Sequence, residues 1–327
     1  MHGTESIRGL SLGLQGGGSF GAFTWGVLDR LLEEEALQFD MVSGASAGAV
    51  NAVVLADGLA EGGPHAARRK LKRVWEKVSL VGPLSGSSVA HAAAALGHSA
   101  LASPYQFNPL GINPLRDILL EEVDFARLRA VSPIRLLIAA TRVRDGRAHL
   151  FRETELGVDQ VLASACLPFI QQAVEIDGEA YWDGGYSANP PLRQLVLDTD
   201  ARDVLLVRLL PDAGSGVPHL SYEIAQRVRT PAFNAPLLQE EASVEALRQS
   251  CAGQSAGRSK LCRKLAGLHM HTIAAEDAVH ELARESPLDT SWLFLQRLKE
   301  RGRGAATAWL RNWRAGRWVR SHAHVAC

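Results

Sequence analysis

The chain has 327 residues, which is long enough for one large α/β domain or two ordinary ones. Hydrophobic residues make up 46% and charged residues 21%, as in ordinary globular proteins, and the net charge is zero, so no global field would attract nucleic acid. The N-terminus lacks the pattern of a secretory signal, and no apolar run reaches the roughly 18 residues that a membrane-spanning helix needs.

The cysteines bear on the compartment and on metal binding. Cys166, Cys251, Cys262 and Cys327 show no C-x-x-C spacing. We interpret all four as reduced thiols, forming neither a disulfide framework nor a zinc site. The sequence therefore predicts a cytoplasmic protein that binds no metal.

The first predicted strand ends in a glycine-rich loop. Residues 10–14, in which three leucines alternate with small residues, predict a buried strand, and Gly16-Gly17-Gly18 follows shortly after. Apolar positions then recur at helical spacing from about residue 19 to residue 35, which predicts a helix. The loop therefore joins a strand to the start of a helix.

A serine stands at the next strand-to-helix junction. Residues 39–42 predict a second strand, which leads into Gly44-Ala45-Ser46-Ala47-Gly48, and a run of small, helix-forming residues follows. A tight turn in this context pushes the serine oxygen out towards a substrate, so Ser46 is our candidate nucleophile. The same pattern recurs at residues 253–257, but no apolar strand precedes that copy, and we interpret it as a loop.

The rest of the chain continues the alternation of strands and helices. Residues 81–113, rich in Gly, Pro, Ser and Ala, predict either a lid over a site or a surface excursion. The later pattern predicts strands at residues 134–140, 204–207 and 268–273, hairpins around 145–146 and over 173–182, and helices over 158–166, 288–301 and 305–314. This alternation indicates an α/β fold with a mainly parallel sheet.

The glycine loop admits two interpretations. It satisfies the dinucleotide pattern G-x-G-x-x-G from Gly16 to Gly21, but the second strand has no acid at its end to hold a ribose, since Asp40 lies near its start. A P-loop is excluded because no Gly-Lys-Ser/Thr follows. Alternatively, the amides of residues 16–18 form an oxyanion hole, which would lie beside Ser46 in a parallel sheet. We favour this second interpretation.

A serine nucleophile also needs a proton acceptor. None of the eleven histidines lies in an obvious motif. Asp183 ends an apolar strand and precedes Gly184-Gly185. Its residue pattern alone fits both a turn aspartate that caps its own backbone and a general base in contact with Ser46.

Three blocks of residues, beginning at Gly16, Gly44 and Asp183, resemble in order and spacing the signature blocks of patatin-like phospholipases. Residues 163–169 also resemble the stretch before the family's aspartate. The resemblance covers about residues 8–210. It implies a three-layer α/β/α sandwich and a lipid acyl hydrolase that needs neither a metal nor an organic cofactor.

The resemblance also implies a role for each matching residue. Ser46 would be the nucleophile and Asp183 the general base of a catalytic dyad. The oxyanion hole would consist of the amides of Gly16, Gly17 and Gly18. The remaining motif glycines would support this geometry, namely Gly21, Gly44, Gly48, Gly184 and Gly185. One position departs from the family, because Phe20 stands where many members carry a basic residue, which bears on the preference for a lipid headgroup.

The region after the shared blocks predicts a mostly helical extension, residues 211–327, packed on or contiguous with a catalytic domain of residues 8–210. From Arg301 onward it holds six arginines and no acid, interleaved with Trp309, Trp313 and Trp318. This pattern fits a helix that docks its tryptophans on the domain, which we slightly favour, or peripheral contact with a membrane. The favoured function is hydrolysis of fatty-acyl esters of (phospho)lipids. The alternatives are a non-enzymatic membrane-associated or partner-binding protein on the same scaffold and, less favoured, a dinucleotide enzyme.

Overall fold

A mixed sheet of eight strands organises the described part of the chain. The computed structural model describes residues 8–81, 103–210, 217, 219, 221–253, 259–278 and 286–316. Most of the candidate lid (residues 82–102), four residues of the second serine motif (254–257), Trp318 and Cys327 lie outside these ranges.

The strands are Arg8–Leu14 (β1), Leu37–Gly44 (β2), Arg135–Arg142 (β3), Ala148–Arg152 (β4), Val174–Ile176 (β5), Glu179–Asp183 (β6), Asp203–Arg208 (β7) and His269–Ala274 (β8). The helices are Gly21–Leu31 (α1), Ala47–Val81 (α2), Pro104–Phe107 (α3), Pro114–Glu122 (α4), Phe125–Val131 (α5), Val158–Ser164 (α6), Leu192–Asp198 (α7), Ser221–Gly253 (α8), Lys260–Ala266 (α9), Ala275–Ala278 (α10) and Trp292–Arg314 (α11). Short 3₁₀ turns occur at Gly18–Phe20, Glu153–Glu155 and Gly184–Tyr186.

The strand order is β5-β6-β3-β2-β1-β7-β8, and β4 also pairs with β3. The run β3-β2-β1-β7-β8 is parallel, whereas the pairs β3-β4, β3-β6 and β5-β6 are antiparallel. From β1 the chain first extends the sheet through β2 and β3, and later returns to its other side with β7 and β8. The carboxyl ends of β1, β2 and β7 therefore meet at a topological switch point, where open α/β sheets bind ligands.

Apolar side chains cover both faces of the sheet. Along β7, Leu205 and Val207 join one core cluster, whereas Val204 and Leu206 join the other. Helices α1, α2 and α11 pack on the first face and α7, α8 and α9 on the second. Burying each such side chain stabilises the fold by about 1.5–3 kcal/mol. The predicted three-layer α/β/α sandwich with a mainly parallel sheet is confirmed.

The last long helix differs from its prediction. We expected two helices separated near Gly302, but α11 is continuous. It packs along α1, and the closest approach lies at two glycines: a methyl group on Gly302 would lie 2.1 Å from Phe23 O, and one on Gly26 would lie 1.9 Å from Lys299 O. The glycine that seemed to break the helix is the residue that lets it pack on α1.

Trp309 and Trp313 of α11 face the protein. Trp309 and Trp313 stack with ring centroids 5.3 Å apart, and the Trp309 ring lies 5.5 Å from that of His271. This packing favours the docking interpretation for both residues. Among the described residues, none of the helices combines the length and the hydropathy that a membrane-spanning segment requires.

The prediction that all four cysteines are reduced is wrong. Cys251 and Cys262 form a disulfide that joins the end of α8 to the start of α9, and their Cα atoms are 5.1 Å apart. The sequence shows no signal for this pair because the packing of α8 against α9, and not a spacing motif, brings the two residues within bonding reach. Cys166 is a free, buried thiol. The cysteines therefore lend no support to the expectation of a cytoplasmic location.

Candidate active site

Ser46 lies in the tight turn between β2 and α2. Its φ of +54° is in the left-handed region, which non-glycine residues rarely adopt outside functional turns. The flanking glycines make the turn possible: a methyl group on Gly48 would lie 2.1 Å from Leu14 O, and one on Gly44 would lie 2.7 Å from the Gly48 carbonyl carbon. The predicted strand, turn and helix are all present, and they hold the serine at the carboxyl edge of the sheet.

A second serine fixes the backbone of this turn. The Ser46 amide donates to both the carbonyl oxygen and the hydroxyl oxygen of Ser164, each at 3.0 Å. Ser164 is fully buried at the end of α6. Sequence reasoning assigned it no role, although it lies within residues 163–169, which resemble the family.

Asp183 is the last residue of β6, and no part of it is exposed. Its amide donates to Cys166 O at 2.8 Å, and its Oδ1 accepts the Gly185 amide at 2.7 Å. Both turn glycines are required for steric reasons, since a methyl group on Gly184 would lie 2.1 Å from Ala139 O and one on Gly185 would lie 2.4 Å from the Phe233 ring. The aspartate is thus both the cap of its own turn and a buried acid.

Burial raises the pKa of Asp183 to about 7, although hydrogen bonds from the Ser46 hydroxyl and the Gly185 amide act in the opposite direction. Among the described residues, its Oδ2 has no hydrogen-bond partner of regular geometry. The Ser46 hydroxyl is therefore close enough to lower the pKa of Asp183, but no hydrogen bond of regular geometry joins the two side chains. Such contacts in ligand-free sites often become well aligned only when substrate binds.

The neighbouring thiol of Cys166 is not a competing nucleophile. Burial, and secondarily the charge of Asp183, raises the pKa of this thiol to about 12. Its Sγ donates to Gln172 O at 3.1 Å. Because the thiolate is the reactive form of cysteine, this group is inert near neutral pH.

The glycine loop lies directly beside the serine. A methyl group on Gly16 would lie 2.7 Å from Ser46 Cβ, so only glycine fits there. The Gly16 amide donates to Asn189 Oδ1 at 2.7 Å, whereas within the described residues the amides of Gly17 and Gly18 donate no hydrogen bond. Of the three donors expected from the sequence, the Gly16 amide is therefore already engaged, and the Gly17 and Gly18 amides have no partner within the described residues.

The helix after the glycine loop is held against the helix after the serine. A methyl group on Gly21 would lie 2.6 Å from Ala47 Cβ, and Asn51 Nδ2 donates to Gly21 O at 3.0 Å. Phe20, which replaces a basic residue of the family pattern, is 3% exposed and packs edge-on against Phe294. Its side chain points into the core, so this position presents no group to a headgroup.

Two histidines that alternate on the last strand lie far from Ser46. His269 and His271 both contact Asp203 Oδ1, at 3.3 and 2.8 Å. Asp203 begins β7 and His269 begins β8, so this cluster occupies the amino ends of parallel strands. The glycine loop and Ser46 lie at the carboxyl ends.

Comparison with known proteins identifies a family and several similar solved structures. A family model described as patatin-like phospholipase matches residues 12–196. No curated protein matches the chain. The crystal structure of VipD from Legionella pneumophila is similar over 94% of this chain and 67% of that chain, with 15% sequence identity and a TM-score of 0.44, which is too low to support an inference.

Proposed function

Because the chain belongs to the patatin-like phospholipase family, we propose that it is a serine acyl-hydrolase that cleaves fatty-acyl esters of lipids through a Ser46–Asp183 dyad. The observation that carries this proposal is the contact between Ser46 and a buried acid whose pKa is raised to about 7. A base with a pKa near the working pH combines a large deprotonated fraction with a strong pull on the proton.

In the acylation step, Ser46 Oγ attacks the ester carbonyl carbon while its proton passes to Asp183. The carbonyl oxygen becomes an oxyanion, which accepts hydrogen bonds from the Gly17 and Gly18 amides. The tetrahedral adduct then breaks the ester C–O bond, and Asp183 returns the proton to the oxygen of the leaving alcohol. In this scheme, each well-aimed amide donor accelerates the reaction by about 10²- to 10³-fold.

In the deacylation step, a water molecule takes the place of the alcohol. Asp183 accepts a proton from this water as it attacks the acyl carbon, and the same two amides stabilise the second oxyanion. Collapse of the adduct returns the proton to Ser46 Oγ and releases a fatty acid. A carboxylate serves as the base in both steps, so the scheme requires no histidine.

Labelling with a fluorophosphonate probe and hydrolysis of p-nitrophenyl butyrate test this assignment. We expect Ser46→Ala to abolish labelling and to lower kcat by at least about 10³-fold, and Asp183→Asn to lower kcat by about 10²- to 10⁴-fold. Ser255→Ala is the matched control, since Ser255 occupies the second copy of the serine motif. Full activity and labelling in Ser46→Ala would refute Ser46 as the nucleophile. Failure of the probe to label Ser46 in the wild type would instead revive a non-enzymatic role.

A panel of phospholipids, triacylglycerols and thioesters then identifies the ester class. Release of free fatty acid in a 1:1 ratio to the leaving group would establish water as the acceptor. A deficit of free fatty acid, matched by a new ester, would instead show acyl transfer to an alcohol. The Ser46→Ala variant should release no fatty acid from any lipid in the panel.

A further inference from the structure

Two buried amide side chains, Gln15 and Asn189, hold the backbone around the glycine loop. Asn189 Oδ1 accepts the Gly16 amide at 2.7 Å. Gln15 Oε1 accepts the amides of Leu209 and Leu210 at 2.6 and 3.0 Å. Because Leu209 and Leu210 directly follow β7, Gln15 ties together the carboxyl ends of β1 and β7, where the loop begins.

The nitrogens of these same two side chains both donate to helix α8. Gln15 Nε2 donates to Asn234 Oδ1 at 2.9 Å. Asn189 Nδ2 donates to Phe233 O at 3.1 Å. Asn234 is only 3% exposed, so its hydrogen bond with Gln15 is shielded from water. A single turn of α8 therefore accepts a hydrogen bond from each of the two side chains.

The same turn of α8 also contacts the loop that carries the acid. The Phe233 ring lies 4.7 Å from the Tyr186 ring. It also fills the space beside Gly185, where a methyl group would come within 2.4 Å of it. Since Gly185 donates to the Asp183 carboxylate, Phe233 packs against the backbone that orients the proposed base.

A glycine loop has no side chains with which to hold its own conformation. Donors that stabilise an oxyanion must be held within about 0.5 Å of the productive geometry by surrounding residues. Buried amide networks are well suited to this because hydrogen bonds strengthen one another where the local dielectric constant is low. Gln15 and Asn189 provide such a network, and α8 completes it.

We propose that Asn234, together with the Phe233 carbonyl, is a positioning element that holds the glycine loop so that the Gly17 and Gly18 amides face the oxyanion. Asn234 contacts none of the reacting atoms and acts through Gln15. The catalytic meaning of this element rests on the proposed function. Helix α8 lies outside the matched residues 12–196, so the machinery of the site extends beyond the segment shared with the family.

Steady-state kinetics test this proposal, because loss of a positioning residue should lower kcat and leave KM nearly unchanged. For p-nitrophenyl butyrate, Asn234→Ala should lower kcat about 10- to 100-fold, less than complete loss of both donors, and leave KM within about twofold. The apparent pKa in the kcat profile should not change, because the contact between Ser46 and Asp183 remains. Gln239→Ala, at an exposed position of the same helix, is the matched control and should match wild type.

Hydrogen exchange tests the positioning element without relying on activity. In Asn234→Ala, the peptides covering residues 9–20 and 205–210 should exchange faster than in wild type and in Gln239→Ala. If Asn234→Ala fails to fold, Gln15→Met serves as the second variant. It removes the same contact from the other side with little change in volume, together with the hydrogen bonds that Gln15 accepts from the Leu209 and Leu210 amides. Unchanged exchange in a folded variant of either residue would overturn the proposal.

The two proposals fail in different ways. If wild type hydrolyses no ester and Ser46 is not labelled, the proposed function is wrong, while hydrogen exchange still decides whether α8 positions the loop. If Ser46→Ala is inactive but Asn234→Ala keeps the wild-type kcat, the function stands and the positioning role is refuted. In the background of Gln15→Met, adding Asn234→Ala should cause no further loss of kcat, since the contact is already absent.

Discussion

Asp183 is a fully buried acid that has no cation beside it among the described residues. The groups that oppose the effect of burial on its pKa are a hydroxyl and a backbone amide, at Ser46 and Gly185. Asp203, by contrast, contacts His271 and has a pKa below the usual value despite its burial. The difference between these two carboxyls follows from their partners, and it suits Asp183 to accept a proton near neutral pH.

The first prediction at this scale concerns the pH dependence of the reaction. Asp183 can accept the serine proton only as a carboxylate, so kcat/KM should be low in acid and rise through an apparent pKa of about 7 to a plateau. Initial rates with p-nitrophenyl butyrate between pH 5 and pH 9, within the range where the fold is intact, measure this. A profile that stays flat through this range would argue against Asp183 as the base.

The same acid should destabilise the fold at high pH. The pKa of Asp183 is about 7 in the folded chain, against an ordinary value of 3.8. The folded chain therefore binds this proton more tightly than the unfolded chain does, and the stability that the bound proton contributes is lost as the pH rises from about 4 to about 7. Asp183→Asn removes the buried charge and should stabilise the fold at pH 8 by about 1–3 kcal/mol. Melting temperatures of both proteins should converge near pH 4.5, and no difference at pH 8 would contradict this account.

The residues of the site differ in how far they can be predicted. Ser46 could be predicted because the strand, the turn and the helix are all encoded in the residues next to it. Asn189 and Asn234 were not, since their partners Gly16 and Gln15 lie 173 and 219 positions away in the chain. No local sequence pattern around an asparagine predicts so distant a partner. Only the fold brings Asn189 to the Gly16 amide and Asn234 to the Gln15 side chain.

Among the secondary-structure elements, the crossing of α1 and α11 depends on two glycines. Gly26 and Gly302 allow the backbones to approach closely, because a methyl group on either would overlap a carbonyl oxygen of the other helix. Arg303 then reaches Asp29, which also pairs with Arg68 of α2 at 2.8 Å. The burial of Asp29 raises its pKa, but the neighbouring cations prevail and hold the pKa below the usual value.

Two glycines of α11 should respond in opposite ways to replacement by alanine. Gly302→Ala places a methyl group against Phe23 O, so we expect it to destabilise the fold by about 1–3 kcal/mol. Gly304→Ala has open space around it and should stabilise by about 0.5–1 kcal/mol, because alanine favours helix. Chemical denaturation of both variants measures this difference, and equal effects would show that the crossing is looser than described.

The elements were predictable where their pattern is local. The hairpins around residue 145 and over residues 173–182, and the strand β7, follow from apolar runs and turn residues, and all are present. The continuity of α11 was not, since the low helix propensity of glycine suggested a break that close packing overrides. The disulfide between Cys251 and Cys262 likewise depends on the packing of α8 against α9, which the spacing of the two cysteines does not encode.

Across the whole molecule, residues after 210 add a strand to the sheet and helices to both of its faces. Strand β8 pairs in parallel with β7 along six residue pairs, from Asp203 and His269 to Arg208 and Ala274. Helix α11 covers α1 on one face, and α8 packs against α7 on the other. Our division into residues 8–210 and 211–327 remains a prediction, and these contacts bear on whether the first part can fold alone.

A chain that ends at Leu210 tests this division. It would expose β7 as an open edge and the apolar side of α1, and it would also lack Asn234. We expect it to aggregate or to unfold without cooperativity, because paired edges and both covering layers are needed to bury the core. Thermal unfolding followed by circular dichroism, with the full chain as control, measures this. A soluble fragment that unfolds cooperatively would support an independent catalytic domain.

The packing of α11 on α1 also sets an order of events during synthesis. Arg303 and Asp29 are 274 positions apart. At about 5–20 residues per second, a ribosome needs roughly 14–55 seconds to cover that distance. Throughout that interval the helix that follows the glycine loop has no partner on its outer side. The apolar side of α1 is therefore exposed until α11 has been synthesised, and we expect chaperones to bind nascent chains of this protein in that interval.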